Sequence, residues 1–131
     1  MWTKSYSIVT KEVTKEQMWK LFADVNNWHT WDKGIEFAKL EGKFEKGNYF
    51  TLRPLGGPSV KVELLEANEN NSFLDVTKFP LAKMYDDHLF EETKDGLKIT
   101  NTILNNKSPT ILLWEDFYYY ITYKRKMGTR L

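Results

Sequence analysis

The chain has 131 residues, 41% hydrophobic and 15% aromatic, which suits one domain with a full core over residues 1–131. Its formal net charge of +1 gives no global field toward nucleic acid or an anionic membrane, and neither is expected as a partner. Cysteine is absent, which excludes disulfides, thiol catalysis and thiolate metal sites.

TKSYSIV (3–9) reads as a first strand. In VTKEQMWKLFADV, Thr14 and Gln17 fit a capping box, and Val13 and Met18 a hydrophobic staple. Met18, Leu21, Phe22 and Val25 then make one apolar helical stripe, and Asn26-Asn27 stops the helix. WHTWD (28–32) follows, with Asp32 placed to cap a short helix over Lys33–Phe37. Strand-like segments come next at 36–44, 48–54, 59–67, 72–79, 83–93 and 96–105. Turn residues separate most of them, and Asp95-Gly96 marks a hairpin. Such short connections imply antiparallel neighbours, because parallel crossovers need longer ones. The segment from Ser108-Pro109 onward is compatible with a closing helix, whose stripe would be Ile111, Trp114, Phe117, Tyr118 and Ile121. Alternation of Phe117, Tyr119, Ile121 and Tyr123 would equally suit a strand. A helix is preferred, because the open face of a curved sheet must be covered.

This order resembles the START-like (SRPBCC, helix-grip) superfamily, in its polyketide cyclase/dehydrase-type branch. The resemblance rests on the capped helix running into Val25-Asn26-Asn27-Trp28-His29-Thr30-Trp31-Asp32. Glu45-Lys46-Gly47, the hairpin Met84–Ile103 and Ser108-Pro109 support it. It implies an α+β fold: a curved antiparallel sheet of about six to seven strands wrapped around a C-terminal helix, with one or two short helices after the first strand. It also implies an apolar cavity for a lipid, polyketide or other hydrophobic molecule. A minority of such proteins are enzymes.

Strand parity places the candidate site. Met84, Asp86, His88 and Phe90 share one face of their strand, and Ile99, Asn101 and Ile103 one face of the next. The apolar members argue that these faces point inward, carrying Asp86, His88 and Asn101 with them. His88 assisted by Asp86 could orient or deprotonate a ligand carbonyl or hydroxyl, and these two are the catalytic candidates. They could equally form a structural hydrogen-bonded pair. Phe50, Leu52, Val60, Val62 and Leu64 read as inward in their strands. Trp28 and Trp31 either cap the core or line a cavity mouth, and Phe37, Trp114, Phe117 and Tyr118 complete the expected lining.

Other chemistry has little support. LGGP (55–58) lacks the lysine of a phosphate loop, and no serine nucleophile elbow is present. Two histidines without an H-E-x-x-H pattern give no expectation of a metal, and no cofactor is expected. Lys124-Arg125-Lys126 with Arg130 reads as a solvated terminus. MWTKSYSIVTKE lacks the apolar region of a signal peptide, and no run is long enough for a membrane span, so a cytoplasmic protein without membrane insertion is expected. Binding of a hydrophobic small molecule is the leading expectation. The alternatives are a cyclase/dehydratase-like enzyme, and an interaction module or homodimer formed through the aromatic C-terminal segment.

Overall fold

A computed structural model describes residues 2–79 and 82–106. Seven strands occupy β1 (Trp2–Thr10), β2 (Ile35–Leu40), β3 (Tyr49–Pro54), β4 (Val60–Asn68), β5 (Ser72–Phe79), β6 (Ala82–Thr93) and β7 (Gly96–Asn106). They form one antiparallel sheet in the order β1-β7-β6-β5-β4-β3-β2. β1 and β2 are therefore opposite edges. Helix α1 (Lys15–Ala23) and a 3-10 helix (Val25–Thr30) carry the chain from one edge to the other. No helix among the described residues is long and apolar enough to cross a membrane. The expected closing helix, with Trp114, Phe117 and Tyr118, lies outside the described residues.

The start of α1 follows its sequence. The Thr14 hydroxyl accepts from the Gln17 amide at 3.1 Å, and the Gln17 side chain accepts from the Thr14 amide at 2.9 Å. This reciprocal pair satisfies two amides that the first turn leaves open. The buried stripe is Met18, Trp19 and Phe22, continued by Val25 and Trp28 of the 3-10 helix, while Leu21 is only half-buried. Trp19 thus takes the inward position expected for Leu21.

Three boundaries differ from expectation. The α-helix ends at Ala23, and the 3-10 helix runs straight through Asn26-Asn27. Those asparagines hold the connection instead: Asn27 reaches Asp24, and Asn26 Oδ1 accepts from the Leu40 amide of edge strand β2 at 2.7 Å. No helix forms over 33–37. Asp32 is buried and accepts from the Gly34 amide at 2.9 Å, which turns the chain directly into β2. β2 itself ends at Leu40 rather than at 44.

The β6–β7 hairpin has a two-residue loop, Lys94-Asp95, with Thr93 opposite Gly96. Gly96 has φ +128°, and a Cβ there would stand 2.5 Å from the Thr10 carbonyl oxygen at the end of β1. Only glycine suits both the conformation and the approach. Gly47, with φ +92°, has open space around it. Gly47→Ala should cost about 1–2 kcal/mol for the left-handed conformation alone. Gly96→Ala should cost about 2–4 kcal/mol, because the clash is added. Urea unfolding of the two variants checks the order, and equal losses would contradict it.

Candidate functional site

Polar residues are concentrated on one part of the sheet's inner face. Of the seven buried polar or charged residues described, all but Asp32 lie on β5, β6 and β7: Asp75, Thr77, Asp86, His88, Asn101 and Asn105. Register aligns them in three cross-strand rows. Phe73 faces His88, which faces Asn101; Asp75 faces Asp86, which faces Ile103; Thr77 faces Met84, which faces Asn105. Phe90 and Ile99 continue the face toward α1, and Leu64 and Val62 flank it on β4. The result is a polar patch set in an apolar wall.

His88 is held by rings. Its imidazole stacks on Phe73, with centroids 4.1 Å apart and planes 10° from parallel, and Phe22 of α1 approaches to 5.1 Å. Nδ1 of His88 lies 3.7 Å from Oδ1 of Asp86. Asn101 donates through Nδ2 to Oδ1 of Asp86 and, at 3.0 Å, to the Asp87 carbonyl. The Asn101 amide therefore fixes one carboxyl oxygen beside the imidazole. Inside a protein such contacts are stronger than in water, and leaving one unmade is correspondingly costly.

The third row behaves differently. Thr77 is 1% exposed and Asn105 0% exposed, yet Thr77 Oγ1 and both polar atoms of the Asn105 side chain have no hydrogen-bond partner among the described residues, and neither has Oδ1 of Asn101. Buried polar atoms of this kind are rare in folded proteins. Each costs about 1–3 kcal/mol relative to a satisfied group.

Phe22 is the centre of the adjoining apolar cluster. Besides His88 it meets Trp28 (6.3 Å), Trp31 (6.0 Å), Phe73 (5.4 Å) and Phe90 (5.8 Å). Trp28 is 1% exposed, donates its indole N–H to the Phe22 carbonyl at 3.0 Å, and packs edge-on to Phe50. It caps the core. Trp31 is half-buried at the outer side of the same cluster.

Met84, Phe90, Phe50, Leu52, Val62, Asp86, His88 and Asn101 are all buried on this inner face. Phe37 is not: it is 45% exposed. A register shift between Ile35 and Phe37 in the β2–β3 pairing turns Ile35 and Ala38 inward and Phe37 outward. Asp75, Thr77, Asn105 and Phe73 were not anticipated. For Phe73, Asp75 and Thr77 the signal is the pairing of β5 with β6, which sequence alone does not supply, whereas Asn105 continues the alternation of Ile99, Asn101 and Ile103 along β7. Asp75, Asp86 and His88 each offer a ligand atom within 4.8 Å of the others, and they form a metal-competent group.

Two substitutions separate the rows by sign. Thr77→Val should stabilise the protein by about 1 kcal/mol, because it removes a buried hydroxyl without a partner at nearly constant shape. Asn101→Leu should destabilise it by about 1–3 kcal/mol, because Asp86 and the Asp87 carbonyl lose their donor. Denaturant midpoints measure both.

Comparison with known proteins agrees with this architecture. Protein CV1439 from Chromobacterium violaceum superimposes with a TM-score of 0.68 at 13% identity, over 97% of this chain and 92% of that one. Hypothetical protein jhp0584 from Helicobacter pylori gives 0.71 at 11% identity, over 98% and 88%. The di-domain ARO/CYC BexL from the BE-7585A biosynthetic pathway gives 0.72 at 15% identity, over 98% of this chain and 44% of BexL. At these identities the likeness is one of fold, the helix-grip fold. No curated protein matches the chain. Residues 1–109 match the family described as "Polyketide cyclase / dehydrase and lipid transport", and the chain belongs to that family.

Proposed function

We propose that this protein binds a hydrophobic small molecule bearing polar groups, held on the inner face of the sheet. The carrying observation is the Thr77–Asn105 row. Its polar side-chain atoms are buried without partners among the described residues, in an otherwise apolar wall. Ligand sites of this type are mostly apolar, with a few placed polar groups that fix orientation. Thr77 and Asn105 together offer donors and acceptors on either side of Met84, which suits a ligand with hydroxyl or carbonyl functions on an apolar frame. Membership of a family described by cyclase, dehydrase and lipid-transport roles supports that ligand class.

A second reading is a cyclase- or dehydratase-like enzyme. It is favoured by His88 Nδ1 at 3.7 Å from Asp86, with Asn101 orienting the carboxyl. An imidazole so placed can accept a proton from a carbon or oxygen acid bound above it. The structural role of the pair is separable, because a purely binding protein needs no proton acceptor.

Native mass spectrometry of the protein purified without added ligand tests the binding reading. The expected spectrum carries a small mass that is lost on denaturation. The variant Thr77→Val/Asn105→Leu keeps the apolar wall, folds, and retains less of that mass. A bare spectrum, together with unchanged melting in dodecanoic acid and in 1,8-dihydroxyanthraquinone, would overturn it.

A further inference from the structure

We infer that Asp75, Asp86 and His88 form a binding site for one divalent transition-metal cation of the zinc type. The inference goes beyond the ligand reading and does not depend on it.

Geometry comes first. β5 and β6 place Asp75 directly opposite Asp86, and His88 is the next inward residue along β6. Directly opposed residues on one face of an antiparallel pair stand close enough for their side chains to meet, and like charges there repel. Both carboxyls are buried, Asp75 at 2% and Asp86 at 0% exposure, and so is His88. A cation is one of the groups that stabilises two buried carboxyls facing one another, and the imidazole beside them supplies a third donor. One ligand atom from each residue lies within 4.8 Å of the others, a spacing that modest side-chain adjustment converts into a common coordination sphere.

A second observation is independent of the acidic pair. Oδ1 of Asn101 is a fully buried oxygen without a hydrogen-bond partner among the described residues, and it belongs to the amide whose Nδ2 donates to Asp86. The amide is thus beside the cluster, and its Nδ2 end orients a ligating carboxylate. Carboxylates at metal sites are commonly held in this way by an outer hydrogen bond. Thr77 Oγ1, two residues along β5 from Asp75 on the same face, is a further buried oxygen with no partner among the described residues.

Donor chemistry selects the ion. One imidazole nitrogen and two carboxylate oxygens suit Zn2+, Co2+ or Fe2+. Ca2+ takes all-oxygen sets of higher number, and Mg2+ retains several waters. Stacking on Phe73 fixes the plane of the imidazole before the ion arrives, which reduces the ordering needed on binding.

The test uses the whole chain, stripped with chelator and free of organic ligand. Zn2+ is added, excess is removed by desalting, and bound metal is counted. One equivalent is expected, with a raised melting temperature, and Co2+ in place of Zn2+ should give visible absorption bands. Asp75→Asn should bind Zn2+ at least about 100-fold more weakly. Asn101→Ala, acting through Asp86, should weaken binding by about 10-fold. His29→Ala removes the other, exposed histidine and should bind as wild type does. Absence of stoichiometric Zn2+ in the wild type would overturn the inference. So would metal retained by Asp75→Asn or lost with His29→Ala. Ligand retention measured in chelator fails or succeeds separately, so the two readings are distinguished.

Discussion

The contacts among Asp86, His88 and Asn101 depend on the register of the β6–β7 hairpin. Side chains in a strand alternate faces, so a slip of one residue would turn Asp86, His88 and Asn101 to the opposite side of the sheet. The two-residue loop Lys94-Asp95 fixes the pairing at its closed end. Gly96 then presses against the Thr10 carbonyl with no room for a Cβ, which locks the hairpin onto the end of β1. From that point the pairing runs without irregularity through His88–Asn101 and Asp86–Ile103 to Lys83–Asn106. β5 joins in equally regular register, and only this brings Asp75 opposite Asp86. The irregularities lie elsewhere, in the β2–β3 and β4–β5 pairings, at Ile35/Phe37 and Leu64/Glu66.

Helix α1 turns this register into a site. Its capping box sets where the first turn begins, and hence which residues face the sheet. Phe22 falls over His88, Phe73 and Phe90 together. The Trp28 indole then holds the Phe22 carbonyl, at the point where the α-helix gives way to a 3-10 helix. An otherwise open helix end is thereby satisfied by a buried side chain. This answers what WHTWD covers: Trp28 seals the core end of the sheet, and Trp31 flanks Phe22. The aromatic roof removes water from His88, and electrostatic interactions between His88 and the carboxyls gain strength accordingly.

Much of this was legible in the sequence. Periodicity of two over 83–93 and 96–105, bounded by Asp95-Gly96, was enough to place Met84, Asp86, His88, Phe90, Ile99, Asn101 and Ile103 on one face, because Met84 and Phe90 match Ile99 and Ile103 across the hairpin. β5 defeats the same reasoning. Ser72-Phe73-Leu74-Asp75-Val76-Thr77 alternates apolar residues on both faces, and the side with Leu74 and Val76 is the more apolar one, yet Phe73, Asp75 and Thr77 point inward. The side chains opposite on β6 decide the matter, and those are tertiary information. Phe37 failed for a similar reason, since a bulge is invisible to a period-two pattern. The metal-competent group was hidden because its members are 11 and 2 residues apart across two strands, unlike the i, i+4 spacing of a helical site.

Stability alone does not explain the inner face. Valine or leucine at Asp75, Thr77, Asp86 and Asn105 would suit β-strands and an apolar surround better than the residues present. Two opposed buried carboxyls are costly to place in a core, and buried amide and hydroxyl groups without partners among the described residues add to that cost. Departures from local rules of this kind collect where a protein does something other than fold. Here they collect in three adjacent rows of one sheet, next to a rigid aromatic cluster and nowhere else among the described strands. Asp75 and Asp86 from one row and His88 from the next bring donor atoms of the kind a cation takes within reach of one another. The row through Thr77 and Asn105 has neutral hydrogen-bonding groups for an organic molecule. The two lie one inward residue apart along each strand, close enough for a ligand oxygen held by Thr77 or Asn105 to approach an ion held by Asp75 and Asp86.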